Sequence, residues 1–475
     1  MLIGRKNEQQ RLLNLLKSDK SEFVAVYGRR RIGKTYLVRE TFNYNFAFQH
    51  TGIQGGDKAR QLAEFAQSLK KAGAENIKKL KDWFEAFHAL EDMLSTLPEG
   101  KKIIFIDELP WMDTQKSGFV SALEHFWNGW ATMRTDILLV VCGSAASWIV
   151  SKIVRNYGGL HNRLSAQLYI KPFTLNECEL YVKSREINMT RRQILETYMV
   201  LGGVPYYWTF LERKFTYAQN IDNMFFSETA ELKNEFDALY ASLFKNPLPY
   251  IAIVTLLGKK KAGMTRNEIV NSFGKDTGGT LTAILRDLEQ CGFIHGYNSL
   301  GKSAKETVYQ LIDIFTLFYF KFMQENRKHD EQFWSHSISK QLYSVWSGLA
   351  YERVCLQHTP QIKKALGISG IISCDYSWVY HPQNQDETGI QIDLLIDRDD
   401  NAINLCEIKF SKDKYEITKQ YSEALQRKIS VFQQKSGTSK AVFPVMITVY
   451  GLMRNAYADD IQLQVVMDDL FWGVR

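Results

Sequence analysis

The chain has 475 residues, too many for one ordinary hydrophobic core, and this length predicts three or four domains. Its composition, 45% hydrophobic and 13% aromatic, is that of a soluble globular protein with little disorder. The formal charge of +7 permits binding to nucleic acid without requiring it. The N-terminus lacks the apolar stretch of a signal peptide, and the longest apolar run, 137–150, is too short to span a bilayer. Six scattered cysteines without a C-x-x-C pair suit reduced thiols, so we expect a cytoplasmic protein with no membrane segment.

A phosphate-binding loop is the first element that carries chemistry. Residues 28–35 read G-R-R-R-I-G-K-T and match G-x-x-x-x-G-K-S/T, after an apolar strand run at 23–27 and before a predicted helix. In such a loop, backbone N–H groups surround the β-phosphate, the lysine reaches the β- and γ-oxygens, and the threonine holds Mg²⁺. The alternative, a chance match in a glycine turn, is disfavoured by the flanking strand and helix. The predicted nucleotide contacts are Gly28, Arg31, Ile32, Gly33, Lys34, Thr35 and Tyr36.

A second nucleotide signature is the strand 103–106, which ends in Asp107 and Glu108. In P-loop ATPases the first acid helps to hold Mg²⁺ and the second polarises the attacking water. An acidic pair at a strand end is common by itself. Combined with the loop it is specific, because both features must meet at the carboxyl edge of one parallel sheet. The pair therefore predicts hydrolysis of ATP as well as binding.

These motifs resemble those of the AAA+ superfamily, and specifically its archaeal-type ATPases. The likeness covers about residues 1–240 and includes an I-G-R-x-x-E box at 3–8 and a G-G-x-P turn at 202–205 that is typical of the helical lid. It implies that Ser144 is the sensor-1 residue and Arg163 the arginine finger. The alternatives are a hydroxyl that caps a turn for Ser144 and a surface ion-pair partner for Arg163. No sensor-2 arginine is identified in the lid.

The middle of the chain has the pattern of a winged helix. An apolar helix is predicted at 250–257, a second helix opens with the capping box 265–268, and a third has apolar residues at helical spacing from Leu281 to Leu288. Two strands, 293–297 and 307–311, would flank a wing tip at 298–302. Between residues 245 and 310 nine basic residues stand against five acidic ones, which suits phosphate contacts. The residues expected to face DNA are Thr280, Thr282 and Arg286, with loop lysines Lys259, Lys260, Lys261, Lys302 and Lys305. The alternative is a module that only packs domains or binds protein.

The C-terminal part contains a carboxylate pattern. Asp393 lies on one predicted strand, Glu407 and Lys409 lie two residues apart on the next, and Glu352 lies on a preceding helix. Together with a helix expected at 416–434, this order resembles the PD-(D/E)XK, or restriction-endonuclease-like, fold. The resemblance implies that Asp393, Glu407 and Glu352 bind Mg²⁺ or Mn²⁺ and that Lys409 orients water or the phosphate. Without the supporting elements the pattern is weak, because surface strands often carry such residues.

The sequence therefore predicts an α/β protein with four parts. They are an AAA+ P-loop ATPase core at 1–172, a helical lid at 173–243, a winged helix-turn-helix at 244–325 and a nuclease-like domain at 326–475. We expect ATP hydrolysis, DNA binding, metal-dependent DNA cleavage and a homo-oligomer. The main alternative is a nucleotide-controlled DNA- or protein-binding switch whose nuclease-like domain does not cut. A further alternative is a protein remodeller.

Overall fold

The computed structural model describes residues 2–155, 158–160, 162–273, 278–298, 300, 306–326, 329–380, 382 and 389–473. The chain divides into two compact units, Met1–Pro172 and Phe173–Arg475. Among the helices in the described ranges, none combines the length and apolar character needed to cross a membrane.

The first unit is built on a parallel sheet. Its strands are β1 (Glu22–Tyr27), β2 (Phe48–Thr51), β3 (Lys102–Asp107), β4 (Ile137–Gly143) and β5 (Ala166–Tyr169). They are arranged in the order β2-β3-β4-β1-β5, and every neighbouring pair is parallel. The connecting helices are α1 (Lys6–Leu16), α2 (Lys34–Thr41), α3 (Lys58–Lys71), α4 (Trp83–Thr96), α5 (Phe119–Gly129) and α6 (Ala146–Ile149), with short helical turns at Leu109–Trp111, Ala131–Met133 and Val150–Val154.

Both faces of this sheet are covered, which explains why its central strands are continuous apolar runs. Phe23 and Ala25 of β1 pack into the apolar cluster on one face, while Val24 and Val26 pack into the cluster on the other. Strands β3 and β4 are buried at every position. The carboxyl ends of these strands therefore form a rigid edge for the loops that follow them.

The second unit begins with five helices, three of which start with a capping box. They are α7 (Leu175–Ser184), α8 (Arg191–Leu201), α9 (Pro205–Trp208), α10 (Tyr217–Phe225) and α11 (Glu235–Leu243). A small antiparallel sheet with three helices follows, in which the strand order is β6-β8-β7. Its elements are α12 (Leu248–Gly258), β6 (Met264–Thr265), α13 (Arg266–Phe273), α14 (Gly278–Gln290), β7 (Ile294–Tyr297) and β8 (Val308–Leu311).

The helices and strands predicted between 250 and 311 occur where the sequence placed them. Thr265 and Glu268 form the predicted reciprocal bonds at the start of α13. Gly292, with φ 73°, takes the left-handed conformation just after α14. Most of the predicted wing tip, with Lys302 and Lys305, lies outside the described residues.

The last part of the unit is a five-stranded mixed sheet with the order β13-β12-β11-β10-β9. The pairs β9–β10 and β10–β11 are antiparallel, whereas the pairs β11–β12 and β12–β13 are parallel. The elements are α15 (Ile314–Phe318), a π-helical turn at Tyr319–Met323, α16 (Phe333–Ser337), α17 (Gln341–Gln357), α18 (Thr359–Ala365), β9 (Ser373–Tyr380), β10 (Ile390–Arg398), β11 (Ala402–Lys409), α19 (Lys419–Ser436), β12 (Ala441–Thr448), β13 (Leu463–Val466) and a 3₁₀ turn at Met467–Phe471.

One apolar cluster includes residues from each of the three parts of the second unit. It includes Leu195 of the first helices, Leu288 of α14, Trp334 of α16 and Val465 of β13. The three segments that the sequence predicts as lid, winged helix and nuclease-like domain therefore share a core within one compact unit. The predicted boundaries at 243 and 325 remain predictions.

The glycine turn between α8 and α9 is a point of close backbone contact. The N–H of Phe173 donates to the carbonyl of Gly203 at 2.6 Å, and the indole of Trp208 donates to the carbonyl of Gly202 at 2.8 Å. A Cβ on Gly203 would lie 1.9 Å from the carbonyl oxygen of Phe173. Since this neighbour is backbone, only glycine fits at position 203.

We expect Gly203→Ala to lower the free energy of unfolding by about 3 kcal/mol or more, because backbone must move to admit the methyl group. Gly348→Ala is the matched control: this glycine lies inside α17 with no atom within 4 Å of the added Cβ. The control should be neutral or stabilise by up to about 1 kcal/mol. Calorimetric unfolding of both variants measures the difference, and equal stability would contradict the turn geometry.

Candidate functional site

The phosphate-binding loop and the Asp-Glu pair meet at the carboxyl edge of the first sheet. Strand β4 separates β1 from β3, and the loops after β1 and β3 leave on the same edge because all three strands are parallel. The hydroxyl of Thr35 donates to Asp107 Oδ2 at 2.7 Å, and the N–H of Glu108 donates to Asp107 Oδ1 at 2.9 Å. A hydroxyl and a carboxylate in contact are oxygen donors of the kind that Mg²⁺ prefers.

Backbone conformation in the loop brings N–H groups to one side. Gly28 has φ 143° and Gly33 has φ 83°, and Arg31 also has a positive φ of 71°, which is uncommon for a residue with a side chain. A Cβ on Gly28 would lie 2.5 Å from the carbonyl oxygen of Ile170. The first helical bond of α2 runs from Leu37 N–H to the Gly33 carbonyl. The N–H groups of 34–36 therefore precede the helical ladder, as an anion site requires.

Lys34 is buried, with 5% of its surface exposed, and its ammonium stays within the loop. It donates to the carbonyls of Gly28 at 3.0 Å and Arg29 at 2.8 Å, with a longer contact of 3.4 Å to Ser144 Oγ. All three acceptors are neutral. Its positive charge is therefore not cancelled by these contacts, and it remains available to a phosphate.

Glu108 is held by the end of β4. Its Oε1 accepts from the Ser144 hydroxyl at 2.6 Å and its Oε2 from the Ser144 N–H at 3.1 Å. Glu108 itself has a positive φ of 49°, so the chain turns sharply after β3 and directs this side chain toward β4. The two residues that the sequence singled out separately thus form one hydrogen-bonded pair.

Cys142 is one of the six cysteines that the sequence predicts to be reduced, and it lies beside Asp107. Burial raises the pKa of Cys142 well above its ordinary value, and the charge of Asp107 raises it further. The protonated thiol supports the carboxylate without competing for a cation. The place of Cys142 near the carboxyl end of β4, two residues before Ser144, is the signal that could have found it.

Arg163 lies far from this edge within its own unit. It precedes β5, whose Ala166 pairs with Val24 and whose Tyr169 pairs with Tyr27, the residue just before the loop. Arg163 is exposed and precedes the amino end of β5, the end opposite to the loop. The structure therefore does not bring Arg163 to the nucleotide site of the same chain.

A second group of charged residues lies on the mixed sheet. The register of β10 with β11 pairs Leu394 with Cys406, which puts Asp393 beside Glu407. The register with β9 shifts between Ile392 and Leu395, so a bulge redirects the chain at Asp393. Asp393 Oδ2 accepts from the Ile408 N–H at 3.1 Å. The predicted convergence of Asp393 and Glu407 is what the strand register produces.

Glu407 is almost fully buried and has three polar side-chain contacts. Lys409 lies 3.4 Å from its Oε2, and the Tyr421 hydroxyl donates to the same oxygen at 3.4 Å. Lys428 of α19 donates to Oε1 at 2.6 Å, the shortest contact. Burial acts to lower the pKa of Lys409, but Glu407 and Asp393 outweigh this and raise it, so the ammonium stays charged. Sequence reasoning missed Lys428.

Glu352 has ion-pair partners of its own. Its Oε1 accepts from Arg353 at 2.8 Å, and its Oε2 pairs with Lys261 at 2.8 Å. Burial raises the pKa of Glu352, Arg353 lowers it, Asp393 raises it and Lys261 lowers it, with a net rise. Lys261, expected to contact phosphate, is instead the partner of a buried carboxylate.

In the part of the chain that the structure describes, no three Asp, Glu, His or Cys side chains converge tightly enough to hold a metal ion. Asp393 and Glu407 supply oxygen donors that suit a hard cation. Glu352, with both oxygens in ion pairs, does not complete the three-carboxylate shell that the resemblance implied. The other predicted contact residues of the small-sheet module, Thr280, Thr282, Arg286, Lys259 and Lys260, are all exposed.

Comparison with known proteins bears directly on the first of these sites. Residues 2–211 match a family described as an ATPase domain predominantly from Archaea. An uncharacterized protein of Methanocaldococcus jannaschii is 25% identical over 376 residues, which cover 77% of this chain and 78% of that protein. Among solved structures, a Walker-type ATPase of Pyrococcus abyssi is 15% identical with a TM-score of 0.46, covering 66% of this chain and 95% of that one. The ORC2 protein of Aeropyrum pernix is 13% identical with a TM-score of 0.44, covering 71% and 96%.

Residues 2–211 are thus similar to an ATPase domain, and they include the phosphate-binding loop. The matched region includes the loop at 28–35, the Asp-Glu pair and Ser144, and it continues past Pro172 through the glycine turn at 202–203.

Proposed function

We propose that this ATPase domain hydrolyses ATP, with Glu108 as the base that activates water. The observation that carries this proposal is the pair of contacts at the sheet edge: Thr35 on Asp107, and Ser144 on Glu108. Lys34 and the N–H groups of 34–36 bind the phosphates, and Thr35 and Asp107 would hold Mg²⁺, which supplies charge neutralisation to the phosphoryl group. Ser144 orients the Glu108 carboxylate and keeps it from turning away from the nucleotide.

Glu108→Gln should retain ATP binding and slow turnover by on the order of 10² or more, because an amide cannot accept the proton. Ser144→Ala should slow turnover less, by about tenfold, since the carboxylate remains but one of its two donors is removed. Phosphate release and binding of a fluorescent ATP analogue separate the two effects. Turnover of Glu108→Gln at the wild-type rate would remove Glu108 from the role of base.

We also propose that Arg163 acts on the nucleotide of a neighbouring copy in a homo-oligomer. Arg163 lies toward the amino ends of the strands, whereas the nucleotide loop lies at their carboxyl ends. An arginine so placed would contact a nucleotide only if that nucleotide were bound to a second chain. Its exposure agrees with a place at a subunit contact.

Mixing Lys34→Ala subunits with Arg163→Ala subunits should restore part of the ATPase activity, since one composite site then has an intact loop and an intact arginine. Mixing Lys34→Ala with Glu108→Gln is the control and should restore none, because both changes disable the chain's own site. Activity that does not depend on protein concentration, without rescue in the first mixture, would make Arg163 a structural residue.

For the C-terminal segment we propose a metal-dependent nuclease that acts on DNA held by the small-sheet module. Support comes from the antiparallel β9-β10-β11 strands followed by α19 and the parallel β12, an order that resembles the restriction-endonuclease-like fold. Asp393 and Glu407 would hold Mg²⁺ or Mn²⁺, which supplies a Lewis acid for phosphodiester hydrolysis. Lys409 would face the phosphate. The exposed residues of α14 suit a winged-helix contact with DNA.

Asp393→Ala should abolish cleavage of DNA in Mg²⁺ or Mn²⁺ while leaving DNA affinity within about twofold, because the proposed phosphate contacts lie elsewhere. Asp459→Ala, a change at an exposed acid, is the matched control and should cut normally. Gel assays and fluorescence anisotropy measure the two properties. If the wild-type protein binds DNA but never cuts it, the segment is a non-cutting switch, and cleavage that survives Asp393→Ala would place the reaction elsewhere.

A further inference from the structure

The carboxylate of Glu407 is matched by two cations of the chain itself. Only 1% of its side chain is exposed, and a charge so buried is costly unless it is paired. Lys428 binds Oε1 at 2.6 Å, whereas Lys409 reaches Oε2 only at 3.4 Å. The stronger partner is therefore the lysine outside the Glu-x-Lys pattern.

Lys428 lies on the face of α19 that packs against the sheet. It follows Leu425 by three residues and precedes Phe432 by four, and both of these are buried. An ammonium on such a face needs a carboxylate partner, and Glu407 is the one in contact. The adjacent Arg427 is exposed. The helical repeat therefore turns Lys428, and not Arg427, toward the sheet.

The carboxylates of this group are balanced by the chain's own cations. Glu407 and Asp393 contribute two negative charges, and Lys409 and Lys428 contribute two positive ones; Glu352 adds a third negative charge, beside Arg353 and Lys261. A divalent cation entering this group would meet no excess of negative charge and would have to compete for Glu407 Oε1. Lys409 is positioned differently, because its ammonium also lies over the Tyr421 ring at 5.5 Å.

We propose that Lys428 is a resident cation of the C-terminal site, which holds Glu407 in place and must yield Oε1 before a divalent metal ion can bind. This inference rests on the proposed metal site at Asp393 and Glu407. Lys428 is thus a positioning residue that sets the affinity for the metal. Its side chain is 27% exposed, so its ammonium has solvent to move into when it leaves the carboxylate.

The test is a titration of the nucleotide-free full-length protein with Mn²⁺, in which the electron paramagnetic resonance signal reports the free ion. The site in question is the one lost in Asp393→Ala. Lys428→Met should bind Mn²⁺ there about tenfold more tightly than wild type, because a competing positive charge is gone. Lys428→Gln, which keeps a hydrogen-bond donor without the charge, should behave in the same way.

Two controls isolate the position and the charge. Arg427→Met removes a positive charge from the neighbouring exposed position, and Lys428→Arg keeps the charge at the site; both should bind Mn²⁺ like wild type. Unfolding temperatures of all variants report whether α19 remains folded. The inference is supported if Lys428→Met and Lys428→Gln both bind Mn²⁺ more tightly than wild type. It is also supported if these two variants bind Mn²⁺ and wild type does not.

The two possible failures differ in outcome. If wild type, Lys428→Met and Lys428→Gln bind Mn²⁺ equally and Asp393→Ala does not, the metal site stands and the role of Lys428 is wrong. If none of the chains binds Mn²⁺ in a way that depends on Asp393, the proposed metal site fails, and the role of Lys428 fails with it.

Discussion

A buried carboxylate must be paired with a hydrogen-bond donor or a cation, and this requirement governs the candidate site residues of both units. Asp107 and Glu407 are both buried, and each lies at or near the end of a strand. Asp107 is matched by a hydroxyl and a backbone N–H. Glu407 is matched by two ammonium groups and a phenol. Whether these partners are neutral or charged determines how readily each site can accept a charged ligand.

In the nucleotide site, Lys34 and Asp107 do not form an ion pair with each other. Lys34 donates to carbonyl groups, and Asp107 accepts from neutral donors, so neither has formed an ion pair in the contacts that define the site. An incoming phosphate and its metal ion therefore find opposite charges in place, and neutral contacts are exchanged for charged ones. This is a preorganised site, in which little has to be broken before ATP binds.

The C-terminal site is the opposite case, because its cations and anions are already paired. Lys428 with Glu407, and Lys261 with Glu352, link segments that are distant in sequence. Lys261 belongs to the loop after α12 and Glu352 to α17. The small-sheet module and α17 are therefore joined by an ion pair to a buried carboxylate as well as by a common apolar core. The metal binding proposed for this site would require these ion pairs to rearrange.

The sequence predicted features that depend on local patterns, but not those that depend on contacts between residues far apart in the chain. The loop at 28–35 and the contact of Thr35 with Asp107 were predictable, because strand order in a parallel sheet brings the ends of strands to one edge. The α14 helix was predictable from its apolar spacing. The partners Lys428 and Lys261 were not, because long-range contacts decide which lysine reaches a buried carboxylate. The common core of the second unit was missed for the same reason.

The central claim is that Lys34, Thr35, Asp107 and Glu108 form a working ATPase site. The most direct test is steady-state phosphate release by the purified wild-type chain, with Mg²⁺ or with a chelator, beside Lys34→Ala. The account predicts saturable, Mg²⁺-dependent release that Lys34→Ala lacks, because that variant cannot hold the β- and γ-phosphates. Equal release by the two proteins, or no binding of ATP by wild type, would contradict it.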